Sequence, residues 1–119
     1  MFNFEKLDVW QKAIVFADLV YNETRMFPTD ERFGLTNQLR RAVISVSSNI
    51  AEGSSRSSKV EFGRFTEIAA GSVFEVVSQA FVARRQNFLN ADNFGEIYRA
   101  AEEQSRMLSG LRRSLLTPE

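Results

Sequence analysis

The chain has 119 residues, no net formal charge at neutral pH, and neither cysteine nor histidine. Those absences exclude disulfides, thiolate or imidazole metal sites and the commonest general acid–base group, and the balanced charge gives a polyanion or an anionic membrane no overall attraction. An apolar fraction of 44% with 11 Phe suffices for a real core, so one domain over residues 1–119 is expected.

Met1-Phe2-Asn3-Phe4-Glu5-Lys6-Leu7-Asp8 lacks the basic stretch and apolar run of a secretory signal, and no apolar window approaches the roughly 20 residues of a membrane span. A cytoplasmic protein without a membrane partner is expected. From there Leu7, Trp10, Ile14, Ala17 and Tyr21 recur at alternating steps of three and four, the seam of a bundle helix that Phe16, Val20 and Phe27 widen. Pro28 disfavours helical geometry at Phe27, which places the first helix at about residues 5–26.

Thr29 or Asp30 is suited to cap a short turn, and Gly34 loosens the chain before a second helix over residues 35–52. Leu35, Leu39, Ala42, Val43, Val46 and Ile50 form its apolar stripe, and Gly53 is its natural stop. After the loop Ser54-Ser55-Arg56-Ser57-Ser58, the spacing of Ser58 and Glu61 matches a capping box and opens a third helix. Phe62, Phe65, Ile68, Ala69, Val73, Val76, Ala80 and Ala83 are its apolar positions, and Phe74, Val77 and Phe81 carry that surface further round. So broad a stripe implies cover on more than one side, a local sign of self-association. Asn90 caps a fourth helix bearing Phe94, Ile97, Ala101, Leu108, Leu111 and Leu115, with Pro118 after its end. Four amphipathic helices with short connections define an all-α protein, an antiparallel up-down-up-down four-helix bundle.

Several motifs together resemble the 23S rRNA intervening-sequence proteins, a family related to the accessory proteins of diversity-generating retroelements. They are Leu7-x-Val9-Trp10-Gln11, Phe27-Pro28, Glu31-x-Phe33-Gly34-Leu35-x-x-Gln38-Leu39-Arg40-Arg41-Ala42, Asn49-Ile50-Ala51-Glu52-Gly53, Glu61-Phe62-x-Arg64-Phe65 and Ile68-Ala69-x-Gly71-Ser72-x-x-x-Glu75. The resemblance implies a four-helix protomer, a ring-like homopentamer and no known catalysis. It also implies, through the retroelement relatives, contact with RNA or DNA and with a protein partner such as a reverse transcriptase. Ser47 stands where family members often carry Pro, and the zero net charge differs from the strongly basic retroelement accessories.

In the second helix, Gln38, Arg41, Ser45, Ser48 and Glu52, with Asn49 beside them, make a polar line at steps of three or four. A partly buried network, within the protomer or against a neighbour, is the favoured reading, because an unpaired buried charge costs several kcal/mol. A small-ligand site on this line is an alternative, but neither a Gly-rich phosphate loop nor a metal-ligand set lies nearby. Arg40 and Arg41 point about 100° apart on a helix, and one of them is expected at an interface or in an ion pair.

Residues 32–64 hold six basic and two acidic groups, the one quarter with a positive excess. Arg56, Lys59, Arg64, Arg112 and Arg113 gather at one end of such a bundle, where Glu5, Asp8, Glu52 and Glu61 offset them. A nucleic-acid-binding accessory would use these five as phosphate contacts, with Arg40 and Arg41 as a second set. The run Ala69-Ala70-Gly71-Ser72 points to a close helix approach, since Gly in a helix costs about 1 kcal/mol against Ala. Trp10 reads as core or interface rather than a base-stacking platform. Glu61, Glu67 and Glu75 cannot form the usual di-metal motif without His, so no metal, cofactor or catalytic residue is assigned. The expected role is a non-enzymatic, self-assembling scaffold or binding protein.

Overall fold

Two short polar side chains fix where the longest helices begin. Ser58 Oγ accepts a hydrogen bond from the Glu61 amide at 3.1 Å, and Asn90 Oδ1 accepts one from the Asn93 amide at 2.8 Å. Each satisfies a donor that the first turn of a helix leaves without an intrahelical partner. The computed structural model describes residues 1–117, in which α1 spans Asp8–Thr24, α2 Leu35–Ser54, α3 Lys59–Arg85 and α4 Ala91–Leu116. Pro118, read as following the end of the fourth helix, lies outside the described residues.

Short 3₁₀ turns at Asn3–Lys6 and Thr29–Glu31 precede α1 and α2. The first helix therefore begins later than expected, because Leu7 is extended (φ −81°, ψ 123°) and separates the turn from the helix. Neither Thr29 nor Asp30 caps the second turn. Glu31 serves the start of α2 instead, its Oε1 accepting from the Leu35 amide at 3.0 Å.

Helix α1 packs on α2 and α4, and α3 packs on the same two, whereas α1 and α3 do not meet, nor do α2 and α4. With short connections this is the antiparallel up-down-up-down arrangement, 49 × 22 × 20 Å. Leu39, Val43, Val46 and Ile50 of α2 face Ala69, Val73, Val76, Ala80 and Ala83 of α3, and Ile97, Ala101 and Leu108 complete the core from α4; all are buried.

The α1 seam is rotated from its expected line. Val9, Ala13, Phe16, Ala17, Val20 and Thr24 are buried, Trp10 and Tyr21 are half-buried and Ile14 is exposed. Trp10 instead meets Phe4 of the N-terminal turn at a ring-centroid distance of 4.8 Å, so it covers the flank of the bundle rather than filling its centre.

Gly53 does not stop α2. It is helical and buried, and a Cβ placed there would lie 2.7 Å from Phe65 Cβ and 2.8 Å from Phe62 Cδ1. The missing side chain serves a close approach between α2 and α3, not a left-handed turn. Gly71, expected at such an approach, faces open space. The left-handed residue is Asn87 (φ 64°), after which the Phe88 amide donates to the Ala83 carbonyl at 2.9 Å and closes α3.

Helix α3 is long and apolar enough to cross a membrane, with mean hydropathy 1.2, which corrects the expectation that no window comes near a span. About a third of the apolar window is buried within the bundle, where α3 packs between α2 and α4. Ile68, Phe74, Phe81 and Val82 face outward, and all are exposed.

Candidate functional site

The polar line of α2 divides into three. Asn49 Nδ2 donates to the Ser45 carbonyl at 2.8 Å and to Ser45 Oγ at 3.0 Å, and Ser72 Oγ of α3 donates to Ser45 Oγ at 2.9 Å. This chain ties α2 to α3 in a half-buried setting. Glu52 accepts from Arg56 Nη2 at 2.9 Å near the end of the helix. Gln38, Arg41 and Ser48 are exposed and join neither set. The expected single network is thus a short three-residue link and a separate surface ion pair, because the helix rotates Arg41 and Ser48 outward.

Beside that link, Gln38, Arg41, Ser45, Ser72, Glu75 and Gln79 line a groove of about 320 Å³. Gln79 Oε1 is buried and has no hydrogen-bond partner among the described residues. Nothing in the sequence marks Gln79, since its burial depends on how α3 meets α2.

Arg40 points back to α1. Its Nε donates to Thr24 Oγ1 at 2.9 Å, and its guanidinium stands 4.6 Å from the Tyr21 ring centroid. Neither member of the Arg40–Arg41 pair is in an ion pair among the described residues, which leaves an interface as the other half of that expectation. Both face a groove of about 650 Å³ between the end of α1 and the start of α2, together with Arg32, Tyr21 and Phe33.

The basic residues at the other end are already matched with acids. Arg56 pairs with Glu52 at 2.9 Å, Arg64 with Glu61 at 3.1 Å, and Arg112 of α4 with Glu67 of α3. Arg56 also stands 4.7 Å from the Phe65 ring centroid. Lys59 is exposed at the first residue of α3, and Arg113 lies in the last turn of α4, where a cation complements the helix dipole. The structure brings these five residues to one end, but with carboxylates interleaved.

A different surface lies along α3 and α4. Phe74 is 69% exposed and Phe81 49% exposed, and they border a groove of about 600 Å³ with Val77, Tyr98, Glu102 and Arg106. The Phe81 ring packs at 4.8 Å from that of Phe94 and 6.3 Å from that of Tyr98, so the aromatic patch is braced from beneath. Titration is perturbed at Glu23, whose carboxyl is raised above the ordinary value by burial and then by the charge of Glu96. No group of three or more His, Cys, Asp or Glu suited to a metal ion occurs among the described residues.

Fold and surface together define an all-α four-helix-bundle protein whose distinctive features are grooves and patches on helix faces. Residues 5–110 match the family model described as 23S rRNA-intervening sequence protein, and the chain belongs to that family. Its structure is similar to the crystal structure of a protein with unknown function from the S23 ribosomal protein family of Bacteroides thetaiotaomicron. The TM-score is 0.81 at 20% identity, over 88% of this chain and 95% of that one, a likeness of fold. No curated protein matches the sequence.

Proposed function

We propose that this protein is a non-enzymatic scaffold that works as a homo-oligomer, with the α3–α4 aromatic face joining its copies. The observation that carries this reading is the exposure of Phe74 and Phe81 beside Tyr98 around one largely apolar groove. Each square ångström of such surface left in water costs about 25 cal/mol, and soluble monomers rarely keep large apolar patches. A second copy is the occupant that the charges favour. The chain has no net charge to repel itself, and the patch carries one acid, Glu102, and one base, Arg106, to complement their counterparts on a neighbour. Five copies is the number that the family resemblance implies. The absence of His and Cys supports a role without catalysis.

Light scattering after size exclusion tests this reading. The expected mass is five times 13.6 kDa, and Phe74→Glu is expected to release protomers with an unchanged helical circular-dichroism spectrum. A native protein that stays monomeric at the highest concentration reached, or a Phe74→Glu variant that assembles normally, overturns it.

A further inference from the structure

The groove between the end of α1 and the start of α2 differs chemically from the rest of the surface. Arg32, Arg40 and Arg41 line it with Tyr21, Phe33 and Asn37, and no carboxylate does. Glu31, next to Arg32 in the chain, directs Oε1 to the Leu35 amide. The Arg32 guanidinium stands 5.2 Å from the ring centroid of Phe33, a side chain that is 85% exposed. Arg40 is positioned by Thr24 and the Tyr21 ring, neither of which neutralises its charge. Arg41 has no hydrogen-bond or ion-pair partner among the described residues.

Arg41 also borders the adjoining groove that Glu75 lines, but none of the three guanidiniums is in an ion pair among the described residues, so they repel one another, and Phe33 contributes little to the core. Guanidinium forks match phosphate oxygens, while an exposed aromatic ring offers a flat surface on which a nucleobase stacks. The groove is open to solvent, which suits a strand laid across it better than an enclosed small molecule. We propose that this groove binds single-stranded nucleic acid, with Arg32 and Arg41 on phosphates and a base against Phe33. A duplex keeps its base faces stacked inside and cannot offer one to the ring. The opposite end of the bundle is a poorer site, because Arg56, Arg64 and Arg112 each face a carboxylate. The inference does not depend on self-assembly, although repeated copies would raise avidity on one strand.

Fluorescence anisotropy with a short labelled oligouridine, and with the same strand annealed to its complement, tests the site. The single strand is expected to bind better than the duplex, with log affinity falling against log salt by about 0.7 per phosphate contacted. Arg41→Ala should flatten that slope by about 0.7, and Phe33→Ala should weaken binding about tenfold or more with the slope unchanged. Both positions are exposed, so both variants should keep the native circular-dichroism spectrum and the native mass by light scattering. Arg64→Ala is expected to change neither affinity nor slope. No binding at low salt, preference for the duplex, or sensitivity to Arg64→Ala but not to Arg41→Ala and Phe33→Ala overturns the proposal.

Discussion

Gly53 of α2 and Phe65 of α3 sit so close that a Cβ on the glycine would fall 2.7 Å from the Cβ of the phenylalanine. Phe65 cannot yield by swinging the end of its side chain, since the clash is at its root. Gly53→Ala should therefore destabilise the fold by about 1–2 kcal/mol, overpacking outweighing the better helix propensity of Ala. Urea denaturation checks this, and a stabilised variant would mean that the two helices separate easily.

Arg40 joins α2 to the last turn of α1 through Thr24 and Tyr21. Arg40→Ala should cost about 1–2 kcal/mol, from one charge-assisted hydrogen bond and one ring contact. Arg40→Lys should restore little, because an ammonium lacks the flat fork that stacks and donates together. Arg41→Ala should leave the midpoint nearly unchanged, and equal losses at the two positions would count against the assigned contacts.

Gln104 of α4 is buried and donates through Nε2 to the Val9 carbonyl of α1 at 3.1 Å. Gln104→Ala leaves a cavity where the two helices meet and should cost about 2–3 kcal/mol. Gln104→Leu keeps most of the volume and should recover more than half of that loss. The two midpoints in one denaturation series decide whether packing or the hydrogen bond dominates.

Glu23 carries a carboxyl whose pKa lies above the ordinary 4.5 because of burial and then the charge of Glu96. An acid raised in this way opposes folding when it ionises: the penalty is absent below the unfolded value and fully present above the folded one. The last turn of α1 carries no basic residue of its own, although Arg25 follows it and Arg40 of α2 reaches Thr24 and Tyr21. Glu23→Gln should thus raise the thermal midpoint slightly at neutral pH, with the advantage fading as the pH falls toward 4.5 and gone below it. An advantage that persists in acid would point to packing instead.

The helix starts at Ser58 and Asn90 were readable because capping is settled within four residues of chain. The rotation of α1 was not, since Trp10 leaves the seam for Phe4, a partner that the upstream turn supplies. Gly53 showed why a lone glycine is ambiguous: freedom of φ and lack of a Cβ are different assets, and only the position of Phe62 and Phe65 tells which is used. The positive excess of residues 32–64 was visible as a count, yet Tyr21, which orients Arg40, arrives from another helix. The pairing of Arg112 with Glu67 likewise depends on the meeting of α3 and α4. Local chemistry fixed the elements, and tertiary neighbours decided what each charged side chain faces.

The contact between Gln104 and Val9 joins groups 95 residues apart in sequence. By contrast, α2 with α3 and α3 with α4 meet across short connections and need only small loops to close. A growing chain emerging from the ribosome can therefore dock α1 on α2 early, but its other flank must wait for α4, leaving Phe16 and Val20 short of part of their cover in the interval. The seam between the first and last helices is expected to be the latest to gain amide protection in pulse-labelled refolding. Early protection there, ahead of the α2–α3 pair, would reverse this order.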